Sequence, residues 1–393
     1  MDTIIEAQRR IEKSGINVAF DPSHPISPDL FCGRQEQTKQ IINGIISLKQ
    51  HVVLYGDRGV GKSSLAQYCG SFFAKNFNKQ VYDLKCSEGD TFTSVVARIF
   101  SKLGIIIEKT ETTERGMSIA HVIGVSDSKK TQTTKKIDLN IASNVAEVLK
   151  SKEGIFIIDE FDTLADDKEK GKFAQLMKLL SDNNTNIHLF IVGISLDVKS
   201  LLGGHNSVPR SLTQVFIPKM TNQELHDIIK KGEDRTRLIF KDEVKDRIVD
   251  MSLGYPYFTH LLAHESAKNA ILDEREKITL KDLDVGIKEA IKHIDETLKI
   301  QYKNSLGVNE PKIKKRLLYC AAIIGNQGPF TMTVWILKYK DVYGEDIKNV
   351  TINSQMQKVI NQGSCLLKSI RKGEYVFTNS LMPSYINILG KPD

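Results

Sequence analysis

The run Gly56-Asp57-Arg58-Gly59-Val60-Gly61-Lys62-Ser63 matches the pattern G-x-x-x-x-G-K-[ST], and Ser64 continues it. The chemistry of such a run is phosphate binding. Its glycines let successive backbone N–H groups turn toward an anion, and a helix that starts at its end adds a positive dipole terminus. In this pattern Lys62 reaches the β- and γ-phosphates of a nucleoside triphosphate, and the Ser63 hydroxyl ligates Mg2+. A second chemical feature follows the apolar run Ile155-Phe156-Ile157-Ile158, from which Asp159 and Glu160 emerge. An acid at the C-terminal end of a strand stands where open α/β sheets bind ligands. Asp159 suits the magnesium and its water shell, and Glu160 suits the polarisation of an attacking water. The plainer alternative is that the acids cap the strand end, and Asp162 in the same Asp-Glu-Phe-Asp run reads as a bystander. No NKxD occurs to read guanine, and no LSGGQ to mark a transporter-type ATPase, so ATP is the expected nucleotide.

The elements that must carry these residues read as an α/β fold. HVVLYG (51–56) is an apolar run ending on glycine, and a helical pattern runs from Lys62 through Ala74, which gives strand, tight loop and helix. VYDLKC (81–86), GIFIIDE (154–160), HLFIVGIS (188–195) and TQVFIPK (213–219) are four more apolar runs. Near-continuous Val, Ile, Leu and Phe alternating with helical stretches is what a parallel sheet covered on both faces requires. A nucleotide-binding core is therefore expected over residues 28–219, preceded by an N-terminal helical segment, 1–27. Residues 91–104 read as a helix. SIAHVIGVSD and KKIDLNI flank the polar SKKTQTT, which suggests a hairpin insertion over about 117–141 with a flexible tip, or else a disordered loop.

From Thr221 the pattern changes. TNQELHDIIKKG begins with Thr221 and has Glu224 three residues on, a capping-box signature. Helical patterns follow over 241–252, 256–273 and 279–298 with no strand between them, so a helical domain is expected over 220–300. Further on, KIKKRLLYCAAII and INSQMQKVINQG read as helices, and CLLKSIRKGEYVFTN as two short strands around Lys372-Gly373. With a last short helix over about 380–388, this order fits a winged-helix domain over 301–393.

A chain of 393 residues is too long for one ordinary core, and two to four domains are expected. With 40% hydrophobic and 26% charged residues it falls in the soluble globular class. No run of about 18 apolar residues marks a membrane span. MDTIIEAQRRIEKSG mixes charges with its apolar positions, unlike a signal peptide, so the cytoplasm is the expected compartment. The five cysteines, Cys32, Cys69, Cys86, Cys320 and Cys365, form no CxxC pair and read as reduced packing residues with no zinc site. Residues 301–393 hold 13 Lys and Arg against 6 Asp and Glu, a net of +7, which is the formal charge of the whole chain. Such a segment either attracts phosphate backbones or is simply a solvated, lysine-rich surface.

FCGRQEQ (31–37) ahead of the phosphate loop, the Asp-Glu strand, a strand ending in Gly-Ile-Ser, Pro-Arg-Ser-Leu before another strand, a helical lid and a winged helix together form a recognisable series. Over about residues 28–390 the chain resembles the AAA+ ATPases of the origin-recognition initiator group. It is also similar to their prokaryotic relatives, the STAND-type signalling ATPases and the transposon target-selection ATPases. The resemblance implies a sheet order of 5-1-4-3-2 and an ATP site between core and lid, often completed by a neighbouring subunit, hence a homo-oligomer or a partner protein. It implies that Gly33 and Arg34 lie near the adenine, that Ser195 is the polar sensor, and that Arg210 is an arginine finger; the alternatives are a core-edge hydroxyl for Ser195 and a surface arginine without a role for Arg210. Leu196 stands where initiators carry asparagine. In the lid, Gly254-x-Pro256 stands in place of an arginine and looks like the STAND branch, which would bring Pro256 near the base; the alternative is a loop followed by a helix that starts on proline. The missing asparagine and arginine imply slow, partner-dependent turnover. For DNA, the expected phosphate contacts are Lys312, Lys314, Lys315 and Arg316, and Lys368, Arg371 and Lys372 in the wing. Lys358 is the sole cation on the expected recognition helix. The other reading is a signalling or defence-type regulatory ATPase whose winged helix engages protein.

Overall fold

In the computed structural model, residues 2–112, 118–124, 133–164, 166–204, 212–307, 309, 311–357, 359–360 and 366–393 are described, and the five apolar runs are strands. The chain begins with α1 (Asp2–Ser14) and α2 (Ile16–Ala19), then α3 (Gln35–Ile42), which closes in a π-helical turn over Asn43–Ser47. Next come β1 (His51–Gly56), α4 (Lys62–Phe77), β2 (Val81–Lys85), α5 (Phe92–Lys102), β3 (Ile106–Thr112), β4 (Ser118–Gly124), β5 (Thr133–Asp138) and α6 (Ala142–Leu149). After these stand β6 (Glu153–Asp159), a 3-10 turn (Phe161–Thr163), α7 (Asp167–Asp182), β7 (Asn186–Ile194), α8 (Val198–Leu201) and β8 (Leu212–Ile217). Two compact units result, one of Ser27–Asp57 with Gly61–Pro218, the other of Met1–Ile26, Arg58–Val60 and Lys219–Asp393.

In the first unit, β1, β2, β6, β7 and β8 form one parallel sheet. Numbered along the whole chain its order is β2-β6-β7-β1-β8, which differs from the expected 5-1-4-3-2 because β3–β5 intervene in the chain and form a sheet of their own. With that insertion set aside, the five strands counted from the β8 edge run 5-1-4-3-2. The insertion is a three-stranded antiparallel meander, one strand more than the expected hairpin. Strands β1 and β6 are buried along almost their whole length and β7 over seven consecutive residues, as strands covered on both faces must be. Phe92, Phe161 and Phe173 fill the core on one side, with edge-to-face ring pairs at 4.8 and 5.2 Å.

His51 and His188 are buried in this unit. The His51 ring accepts the Leu189 N–H at Nδ1 (3.0 Å) and donates from Nε2 to the Met177 carbonyl (2.9 Å), so both nitrogens are used in one neutral tautomer. Burial, with His188 adding to it, lowers the His51 pKa from 6.5 to about 3. The unfolded chain therefore binds a proton that the folded one refuses. The stability from this group is complete above about pH 6.5 and is lost as pH falls from there toward 3. Between pH 7 and 5, denaturant unfolding should register a loss of about 1–2 kcal/mol that His51→Gln removes. An unchanged pH profile in that variant would contradict the assignment.

The second unit continues with α9 (Asn222–Thr236), β9 (Ile239–Phe240), α10 (Asp242–Ser252), α11 (Pro256–Leu272), β10 (Lys277–Ile278), α12 (Leu280–His293) and α13 (Glu296–Leu306). Then follow α14 (Lys312–Gly325), β11 (Phe330–Thr331), α15 (Met332–Tyr343), α16 (Asn349–Met356), β12 (Leu367–Arg371), β13 (Glu374–Phe377) and α17 (Met382–Leu389). The capping box at Thr221 and Glu224 is formed as the sequence predicts. The helices are not free of strands, however: β9 and β10 make a two-residue parallel ladder, too short to leave an alternating pattern. Beside it, burial opposes ionisation of Asp282, but Arg275, Thr279 and Asn269 outweigh it and hold the carboxyl well below the usual range. Phe20 is buried against Phe240 and His260, and α9 passes close enough that a side chain at Gly232 would strike its ring. Towards the C-terminus, β11-β13-β12 form an antiparallel sheet, and the buried Trp335 indole donates to the Leu317 carbonyl at 2.9 Å. Burial pushes the thiols of Cys69, Cys86 and Cys320 up to about 12, as packing residues require; Cys365 lies outside the described residues.

Candidate nucleotide-binding site

Strand β1 ends on Gly56 and α4 begins on Lys62, so the phosphate loop is the whole connection between them. Gly56 has φ 151°, and a Cβ there would lie 2.6 Å from the Ile217 carbonyl oxygen of the neighbouring strand. Gly59 and Gly61 also have positive φ, a backbone shape that turns N–H groups to one side. Lys62 is buried at the start of α4, and its ammonium donates to the carbonyls of Gly56 (3.1 Å) and Asp57 (2.6 Å). These carbonyls occupy the place of anionic oxygens around the cation. Ser63 and Ser64 are half-buried in the first turn of the helix. Arg58, Gly59 and Val60 cluster with the second unit, in which Arg58 Nη1 stands 3.3 Å from Asp295 Oδ2.

Asp159 closes β6, and the chain turns sharply after it, because Glu160 is left-handed at φ 53°. Three contacts hold this unusual conformation for a residue with a Cβ. Asp159 Oδ1 accepts the Glu160 N–H at 2.8 Å, and the Glu160 carbonyl accepts the Thr163 N–H at 3.0 Å and its hydroxyl at 2.7 Å. The Glu160 carboxylate pairs with Lys85 Nζ at 2.9 Å, and this contact raises the Lys85 pKa. Lys85 ends β2 opposite Asp159 in the ladder. With side chains 69% and 48% exposed, the pair sets a direction more than it adds stability. Nothing in VYDLKC singled out Lys85. Asp83, on the same strand, is raised above the usual carboxylate range, first by burial and then by the nearby Asp159.

Ser195 follows the end of β7, and its hydroxyl is engaged in a turn, donating to the Asp197 carbonyl (2.7 Å) and accepting the Asp197 N–H (3.3 Å). Arg34 is buried at the start of α3, after a segment in which Phe31 stacks on Tyr68 with ring centres 4.6 Å apart. Pro256 is in the second unit, buried as the first residue of α11. Arg210 and Lys358 lie outside the described residues. Lys368, Arg371 and Lys372 are exposed on and beside the edge strand β12, and no ion pair holds them among the described residues. Two of the cations expected to face phosphates are used internally instead. Lys314 is buried and donates to the carbonyls of Ser305 and Leu306 at the end of α13, where an ammonium satisfies orphan acceptors. Arg316 pairs with Glu345, donates to the Asp393 carbonyl and lies 4.4 Å over the Tyr343 ring.

Two solved structures share this fold over nearly their full lengths. The Cdc6p structure from Pyrobaculum aerophilum is 15% identical with a TM-score of 0.50, covering 96% of this chain and 99% of that one. The ORC2 protein of Aeropyrum pernix, solved in ADPNP–ADP complexes, is 13% identical with a TM-score of 0.51, covering 95% and 97%. At such identities the likeness shows the fold alone, the one that these two proteins share with this chain. No curated protein matches the chain. A family model described as Novel STAND NTPase 1 matches residues 19–300, which contain both the phosphate loop and the Asp159-Glu160 turn. A P-loop nucleoside triphosphatase by its loop, its sheet and this match, the chain belongs to the novel STAND NTPase 1 family.

Proposed function

We propose that the chain is an ATP-binding and ATP-hydrolysing switch, which couples nucleotide state to DNA binding or assembly through a C-terminal winged helix. The observation that carries the reading is a buried Lys62 ammonium in a glycine-bent loop, with an acid turn at the end of a strand in the same parallel sheet. The loop suits a triphosphate because its carbonyls already surround Lys62, which can exchange them for phosphate oxygens. Ser63 and Asp159 offer hard oxygen donors of the kind Mg2+ takes, and that ion, when bound, would neutralise charge on the β- and γ-phosphates. In hydrolysis a water oxygen bonds the γ-phosphorus and the bond to the leaving ADP oxygen breaks. The proton of the water passes to the Glu160 carboxylate. Gly33, Arg34 and Pro256 are read as base contacts, and Arg210 as a guanidinium reaching the nucleotide of a neighbouring copy. Ser195 is the weakest member of the set, because its hydroxyl has partners within its own turn. Residence in the cytoplasm belongs to the same reading; among the described residues no helix is long and apolar enough to cross a membrane.

Residues 220–300 are read as the lid and 301–393 as the winged helix, with the order helix, strand, two helices, and two strands around Lys372-Gly373 supporting the latter. Lys368, Arg371 and Lys372 are the candidate contacts to a phosphate backbone. A second reading has its own support, a signalling ATPase whose winged helix engages protein. The exposed residues of α16 are Asn349, Val350, Asn353 and Ser354, none of them a cation, and α15 exposes Val334 and Leu337. Gel-shift titration of duplex DNA across salt separates the two. On the DNA reading, affinity falls steeply with salt, and replacing Lys368, Arg371 and Lys372 by alanine reduces the log–log slope by roughly 3. Absence of binding at low salt would overturn that reading and favour the protein partner.

A further inference from the structure

We infer that Asp162 is a positioning residue, which ties the acid turn after β6 to the end of β7 and, through β7, to the start of the phosphate loop. The inference rests on the reading of Glu160 as the group that accepts the proton of water. In the ladder between β6 and β7 the last paired residues are Ile158 and Ile191. Beyond them β6 turns away through Asp159 and Glu160 into the 3-10 turn, while β7 runs on through Val192, Gly193 and Ile194. These three residues stay paired on their other side, with Leu54, Tyr55 and Gly56 of β1, and Gly56 opens the phosphate loop. On the vacated side, the Ile194 N–H finds an acceptor in Asp162 Oδ1 at 2.8 Å. The carboxylate thus takes over the ladder where the β6 backbone has left it.

The approach is tight. A Cβ at Gly193 would lie 3.1 Å from Asp162 Oδ1, 3.3 Å from Asp162 N and 2.6 Å from Leu201 Cδ1, so the strand can come this close to the turn because it carries no side chain there. Asp162 is also fixed to the acids themselves. It sits between Phe161 and Thr163, and Thr163 donates twice to the Glu160 carbonyl. A carboxylate that accepts a backbone N–H makes a strong, directional bond. One such bond connects the turn that carries Asp159 and Glu160 with β7, the strand that Ser195 follows and whose Ile194 is paired with Gly56 of β1. A displaced turn would leave nucleotide binding in place and misalign the water, and errors of about 1 Å in such alignments cost on the order of a hundredfold in rate.

The test is steady-state ATP hydrolysis by the full chain carrying Asp162→Ala, Asp162→Asn or Glu160→Gln, alongside the exchange rate of the Ile194 amide hydrogen. Asp162→Ala is expected to lower kcat by roughly ten- to a hundredfold with KM within about threefold, and to speed exchange at Ile194. Asp162→Asn keeps the oxygen acceptor and is expected to recover most of both. If Asp162→Ala does not fold, Asp162→Leu fills similar space without an acceptor and carries the same expectation. Turnover at the wild-type rate in the alanine or leucine variant overturns the positioning role, whatever Glu160→Gln does. So does an asparagine variant as slow as the alanine one with Ile194 exchange unchanged in both. Wild-type turnover in Glu160→Gln overturns the proton-acceptor reading instead, so the two failures are distinguishable.

Discussion

Lys62→Ala is expected to weaken ATP binding by about 2–5 kcal/mol, roughly 30- to 4,000-fold in Kd. Lys62 is buried, fixed at the first residue of α4, and its ammonium already makes two hydrogen bonds inside the loop that would surround the phosphates. Its removal takes away the ammonium and leaves the Gly56 and Asp57 carbonyls facing the anion, a repulsive arrangement. Arginine is not expected to substitute, because its flat fork cannot occupy the space of a compact ammonium between two carbonyls. Equilibrium titration with ATP and magnesium checks this, with thermal unfolding as a control that the fold persists. Unchanged affinity in Lys62→Ala would refute the assignment of the loop.

Glu160→Gln is expected to leave ATP affinity within a few fold and to slow hydrolysis by about 10²- to 10⁴-fold, the usual contribution of a positioned base. Glutamine keeps the length and the left-handed turn but cannot take up a proton. The turn is held by Asp159 and Thr163, neither of which the substitution touches. Lys85 would lose its charged partner, and because that pair is exposed the stability change should stay under about 1 kcal/mol. Single-turnover measurement of phosphate release separates the chemical step from product release. Persistent turnover would move the role of base to another group.

Those features of the site that are local in the chain could be read from its residues. The loop pattern at 56–63, the apolar run ending in Asp159 and the Thr221–Glu224 box are each settled by neighbours within a few positions, and all three stand where expected. Other features depend on register between distant segments. Asp162 reads as a bystander because its partner, the Ile194 N–H, belongs to a strand thirty-two residues away in sequence. Lys85 acquires its relation to Glu160 through the parallel pairing of β2 with β6. Charge alone does not reveal that Lys314 and Arg316 are engaged within the chain, because a basic side chain binds a carbonyl oxygen or a carboxylate as readily as it faces a phosphate. In the insertion, Ile106–Thr112 begins apolar and turns to charged and polar residues, so its strand character comes from pairing with β4. The two-residue strands β9 and β10 are shorter than any periodicity.

This family member is expected to bind ATP through Lys62 and to hydrolyse it through the Asp159-Glu160 turn. The most direct measurement is phosphate release from ATP by the wild-type chain and by Glu160→Gln, each with ATP occupancy determined on the same sample. Occupancy is expected in both and turnover in the wild type alone. Equal phosphate release from both proteins, or no ATP bound by the wild type at millimolar concentration, would contradict it.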